Sequence, residues 1–134
     1  MTQQKIVSFL QYQLPVLAWM IFIFTVSEIP GGKIPSFESL SDKIVHTGVY
    51  FILCWLTHVA LYFQPNAKIR KYSLHIAIAL TVFYGMTDEF HQYFTPGRSC
   101  DPLDLLADTF GGSLYILLYL KFKIYDTTKP TEVK

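Results

Sequence analysis

Three short strings hold most of the side chains able to do chemistry. In the first, Asp42, His46 and Tyr50 are spaced i, i+4, i+8, with Lys43 beside them. On a helix they share one face. In the second, Asp88 and Glu89 are followed by Gln92, four and three residues on, which lines one edge of a helix end. In the third, Asp101, Asp104 and Asp108 fall at i, i+3, i+7, and Arg98 precedes them. Clustered carboxylates share protons or hold a hard cation through oxygen, and an imidazole exchanges a proton near neutral pH. His46 and Glu89 are therefore the candidates for acid–base chemistry. Asp88, Glu89, Asp104 and Asp108 are the candidates for a divalent ion such as Mg²⁺. Lys43 and Arg98 can contact phosphate. The candidate ligand-binding set is Asp42, Lys43, His46, Tyr50, Asp88, Glu89, Gln92, Arg98, Asp101, Asp104 and Asp108.

The elements that position these residues follow from composition. Of the 134 residues, 51% are hydrophobic, 16% aromatic and only 16% charged, against roughly 25% charged in soluble domains. A chain this apolar is not disordered, and one this small could hardly hide its apolar surface from water. A net charge of +1 leaves no broad basic face, so nucleic acid is not an expected partner. Windows nearly free of charge run over 6–27, 44–63, 72–87 and 103–120, the last containing Asp104 and Asp108. A bilayer core about 30 Å thick needs roughly 20 apolar residues as a helix. The first two windows meet that length, the third is short, and the fourth spans with two carboxylates near one end. No long amphipathic pattern with a charged face supports a soluble bundle instead. No small-x-small cleavage site follows the first window, so it reads as a retained helix with Pro15 as a kink. The expected fold is an all-α membrane protein. One compact four-helix domain covers 1–125, with spans about 6–27, 44–63, 72–88 and 103–120, and a polar tail covers 126–134.

Charge placement sets the expected orientation. Lys5, Lys68, Arg70, Lys71, Lys121, Lys123, Lys129 and Lys134 are eight of the eleven bases. Four spans put them all on one side, which should be cytoplasmic with both termini. Eight of the ten acids, Glu28, Glu38, Asp42, Asp88, Glu89, Asp101, Asp104 and Asp108, fall on the other side. At about 1.5 Å per residue, Asp108 stands roughly 20 Å above Lys121, and Asp88 about 25 Å above Lys71. His46 falls at a comparable level, so three helices bring polar groups to one outer-leaflet layer. Ser41 is the expected N-cap of the second span, and Asp101 that of the fourth, with Pro102 in its first turn. His58 and His75 read as residues of the inner interface, Cys54 as a packed thiol unpaired with Cys100, and Gly48, Gly85, Gly111 and Gly112 as points of close helix approach.

The strings Asp42-Lys43-Ile44-Val45-His46-Thr47-Gly48-Val49-Tyr50 and Asp88-Glu89-Phe90-His91-Gln92-Tyr93-Phe94-Thr95-Pro96-Gly97-Arg98-Ser99-Cys100-Asp101-Pro102-Leu103-Asp104 resemble the two signatures of the VanZ-like family. The second continues through Asp108 to Gly111-Gly112, and the resemblance covers about 42–120. Asp108 is a departure, since many members have Asn there, and the added charge favours a cation or proton. The resemblance implies a small multi-pass protein of the bacterial cytoplasmic membrane, in a family named for a protein associated with teicoplanin resistance. It implies no reaction.

Three readings stand side by side. A polar outer-leaflet site binds a phosphorylated lipid or cell-envelope precursor head group, with Lys43 and Arg98 on phosphate. Alternatively, a metal-dependent enzyme acts on a lipid or isoprenoid phosphate. No Ser-Gly-His lipid-phosphatase pattern, serine nucleophile elbow or zinc His-Glu-x-x-His motif supports it. Or Arg98 clamps two carboxylates in a structural lock, in a subunit of an envelope assembly or a homo-oligomer.

Overall fold

The computed structural model describes residues 3–31 and 39–122. The tail 126–134, the acid Glu38 and the lysines at 123, 129 and 134 lie outside the described residues, as does the side chain of Lys5. Among the described residues every regular element is helical: α1 (Gln3–Ser8), a π-helical stretch (Phe9–Gln13), α2 (Leu14–Ser27), α3 (Ser39–Tyr62), α4 (Ala67–Lys71), α5 (Ser73–Gln92) and α6 (Pro102–Phe122).

Local chemistry explains the breaks. Pro15 stands at the first turn of α2 and has no N–H to return to the carbonyl four residues back, at Gln11. Gln11 lies in the π-helical stretch, where the regular ladder is widened. The Asn66 side chain caps α4, accepting from the N–H groups of Lys68 (2.9 Å) and Ile69 (3.3 Å). The Asp101 carboxylate caps α6, accepting from Leu103 N–H at 2.9 Å with Pro102 between them, as the sequence predicts. α3 begins at Ser39, so Ser41 lies inside the first turn rather than capping it.

Among the described residues three helices are long and apolar enough to cross a membrane: Ile6–Ser27, Ser41–Tyr62 and Pro102–Phe122. α5, with 20 residues, is not among them, and its last turn is polar, with Asp88, Glu89 and Gln92. α3, α5 and α6 form the core. Cys54, Ala77, Tyr115 and Tyr119 pack at its centre, and Ile23 of α2 joins Tyr50 and Leu53 in a second cluster. α3 and α6 start at the same end and approach closely, because Gly111 leaves room for the Thr47 carbonyl. Gly112 turns the other way, toward Ile78 and Thr81 of α5. Large apolar side chains cover the outside of the bundle, with Ile21, Ile44, Phe83, Leu106 and Leu117 each about 63–66% exposed. So wide an apolar exterior is what hydrocarbon solvates and water does not.

The antiparallel run of α5 against α3 and α6 sorts the polar groups by end. The starts of α3 and α6 and the finish of α5 carry the acids. The opposite end carries Lys68, Arg70 and Lys71 of α4 and Lys121 of α6.

Candidate functional site

Each part of the site follows from a helix end. The first turns of α3 bring Asp42, Lys43 and His46. The last turns of α5 bring Asp88, Glu89 and Gln92, and the first turns of α6 bring Asp104 and Asp108. Lys43 sits among three aspartates. Its ammonium donates to Asp101 Oδ2 at 2.8 Å and to Asp104 Oδ1, and lies 3.5 Å from Asp42 Oδ2. This pairing, together with the bond from Leu103 N–H, holds the Asp101 carboxyl below the usual aspartate range.

One layer deeper, His46 Nδ1 and Asp108 Oδ1 are 2.9 Å apart, and His46 Nε2 lies 3.8 Å from Asp104 Oδ1. Asp108 is fully buried. Glu89 Oε2 accepts the Asp101 N–H at 2.9 Å, tying α5 to the start of α6. Asp88 Oδ2 accepts from Gln92 Nε2 (3.0 Å) and from the Tyr50 hydroxyl (3.3 Å), which ties α5 to α3.

Among the described residues Arg98 is paired with no carboxylate. Its guanidinium donates to the carbonyls of Ile29 (3.2 Å) and Val26 (3.3 Å), at the C-terminal end of α2, where a cation suits the negative end of the helix dipole. The Pro96–Gly97 turn, with Gly97 at φ 74°, meets the same segment through the Gly31 N–H to the Pro96 carbonyl at 3.1 Å. His91 completes the seam, stacked on Phe24 and 2.7 Å from Glu28 Oε1.

A family model described as VanZ/LLP1 matches residues 9–124. The chain belongs to the VanZ/LLP1 family. A curated relative is an uncharacterized protein of Schizosaccharomyces pombe, 28% identical over 107 residues, which are 80% of this chain and 64% of that protein. The chain thus spans less than two thirds of that relative's length. No solved structure matches. The match of this VanZ/LLP1 chain takes in both signature strings, which the fold brings to one end of the bundle.

A small cavity of about 70 Å³ lies at that end of the VanZ/LLP1 bundle. His46, Tyr50, Asp88, Gln92, Arg98 and Ser27 give it polar walls, and Phe22, Val26, Val45 and Val49 give it apolar ones. Ser27 is absent from the sequence-derived set. It closes an apolar run, and only the 3.4 Å contact from Gln92 Nε2 draws it in. Further along the seam of α2, α3 and α5 an apolar groove of about 270 Å³ is lined by Met20, Leu53, Thr57, Leu80, Phe83 and Tyr84, among others.

The other two histidines separate. His58 is fully buried one turn before the end of α3, 2.7 Å from the Tyr115 hydroxyl and packed against Tyr119. His75 is exposed beside Tyr72. Cys54 is buried and Cys100 exposed, both as free thiols.

Proposed function

We propose that this membrane protein binds a phosphorylated lipid or lipid-linked cell-envelope precursor. The head group sits at the cavity beside Arg98, and the chain lies in the apolar groove. One observation carries the reading: a single seam of α2, α3 and α5 holds, at the site end, a mostly apolar cavity with Arg98 and a few other polar groups on its wall, and further along an apolar groove. An amphiphile in a bilayer has that polarity along its length. Arg98 faces the head group with the guanidinium N–H groups left beyond its two carbonyl bonds, whereas the Tyr50 hydroxyl and the Gln92 amide already donate to Asp88. Lys43 is already engaged by carboxylates and takes a smaller part.

The topology of this reading counts α5 as a fourth span. At about 1.5 Å per residue it is roughly 30 Å long, the depth of the hydrocarbon core. Four spans then put the basic end and both termini in the cytoplasm, with the site facing outward. A link to teicoplanin resistance, the phenotype of the protein that names the family, belongs to this reading as an effect of holding an envelope precursor.

The test is the thermal stability of detergent-purified protein titrated with polyprenyl phosphate, phosphatidic acid and the matching unphosphorylated alcohol. The phosphorylated lipids are expected to raise the melting temperature and the alcohol to do so less. Arg98→Gln, if it elutes as a folded protein, should reduce the difference. No shift with any phosphorylated lipid rejects the reading. A second reading, a lipid phosphate hydrolase, draws on the His46–Asp108 pair, an imidazole oriented by a buried carboxylate. Phosphate release in the same samples decides between them.

A further inference from the structure

We infer that His46, Glu89 and Asp108 form a site for one divalent cation of borderline character, such as Zn²⁺ or Mn²⁺. The site stands without the lipid-binding reading.

The three residues come from three helices, and each offers a ligand atom within 4.8 Å of the others. Three ligands at about 2.1 Å from a tetrahedral metal stand roughly 3.4 Å apart, so a small inward shift completes the geometry.

The second observation concerns oxygens. Glu89 is 3% exposed and Asp108 0%. Each carboxylate has one oxygen engaged, Glu89 Oε2 by the Asp101 N–H and Asp108 Oδ1 by His46. The other oxygen of each, Glu89 Oε1 and Asp108 Oδ2, is buried without a partner among the described residues. A buried acceptor left unmatched is costly, and two carboxylates at one place repel. Whatever satisfies both oxygens must be positive or must donate hydrogen bonds, so a bare phosphate does not fit here.

The nearest side-chain cations are committed elsewhere. Lys43 pairs with Asp101, Asp104 and Asp42, and Arg98 with two backbone carbonyls. A second cluster, Asp42, His46 and Asp104, has comparable spacing, but the Lys43 ammonium already serves two of its carboxylates. Gly85 shows which way Asp108 points: a Cβ there would lie 3.0 Å from Oδ2. That oxygen therefore faces α5, where Glu89 stands one turn further on. Asp88 and Asp104, two of the four acids considered for Mg²⁺, are drawn off by Tyr50 and Gln92 and by Lys43.

The donor set names the class of ion. One imidazole with two carboxylates suits Zn²⁺ or Mn²⁺, whereas Mg²⁺ and Ca²⁺ prefer oxygen throughout.

The experiment uses the full chain in lipid-free detergent micelles, stripped with chelator and then reloaded with ZnCl₂, MnCl₂ or MgCl₂ alone. Metal content is read by mass spectrometry after desalting, and thermal stability is read alongside. One Zn²⁺ or Mn²⁺ per chain is expected, with a raised melting temperature. Glu89→Gln and Asp108→Asn, which keep shape and remove charge, should weaken binding at least about ten-fold. His91→Ala, which removes the separate His91–Glu28 pair, should bind as the wild type does. Wild-type chain that holds neither ion overturns the proposal whatever the variants do. So does retention by the folded Glu89→Gln variant, or loss in His91→Ala alone. Because no lipid is present, failure here leaves the lipid reading intact, and a failed lipid titration leaves the metal result intact.

Discussion

Lys43 shows how much one side chain can organise. It reaches Asp101 and Asp104, 58 and 61 positions further along the chain, and joins the start of α3 to the start of α6. Asp101 is the member of this group outside the helices, and its folded-state affinity for a proton is depressed below the ordinary value of 3.8. A depressed carboxyl stabilises the fold above its unfolded pKa, and that stabilisation is lost as pH falls from about 3.8 through the folded value. Acid unfolding of detergent-solubilised protein, followed by helical circular dichroism, should therefore be steeper in the wild type than in Asp101→Asn. Equal acid slopes would contradict the pairing. Asp101 as a cap is legible in Asp101-Pro102-Leu103, because capping is local. The partner of Lys43 is not legible, because several acids lie within reach of any lysine drawn at that helix end.

At the scale of elements, helix approach is decided by which glycine faces a neighbour. The sequence offers Gly48, Gly85, Gly111 and Gly112 as equals. In the fold, a Cβ on Gly111 would run into the Thr47 carbonyl and the Phe51 N–H, whereas one on Gly48 would meet nothing within 4 Å. Gly111→Ala should push α6 away from α3 and cost about 1–3 kcal/mol. Gly48→Ala should be neutral, or stabilise by up to about 1 kcal/mol through helix propensity. Unfolding of both variants in detergent by denaturant checks the contrast, and similar losses for the two would refute the packing described. The polar stripe Asp42–His46–Tyr50 is legible from its four-residue spacing alone. Arg98 is not, since nothing local shows that its guanidinium turns to the carbonyls ending α2 rather than to the nearer-numbered acids.

For the whole molecule, the separation of charge by end is the main fact. Among the described residues the acids gather where α3 and α6 begin and α5 finishes, with Lys43 and Arg98 beside them, and Lys68, Arg70, Lys71 and Lys121 lie at the opposite end. The two native cysteines report on this directly, Cys100 exposed at the acidic end and Cys54 buried in the core. A membrane-impermeant maleimide added to intact cells should label Cys100 and leave Cys54 unmodified until the protein is denatured. Labelling of Cys100 only after the cells are opened would invert the orientation proposed for the site. Labelling of Cys54 in the native protein would contradict the packed core of Cys54, Ala77, Tyr115 and Tyr119.

The sequence alone determined the helical class, the long apolar helices and the strings that carry the polar groups. These depend on composition, period and short-range spacing, and hydrocarbon punishes exceptions to them severely. It also led to the expectation that charge divides by end, and among the described residues Lys68, Arg70, Lys71 and Lys121 do lie opposite the acids. Tertiary structure alone decided the partners. It gave Lys43 to Asp101 and Asp104, turned Arg98 onto backbone carbonyls, buried His58 beside Tyr115, and left Glu89 and Asp108 each with one unmatched oxygen. The reason is physical: a helix fixes which residues share a face, but the contacts between faces depend on rotation and approach. Small residues set those at a few points, such as Gly111 against Thr47.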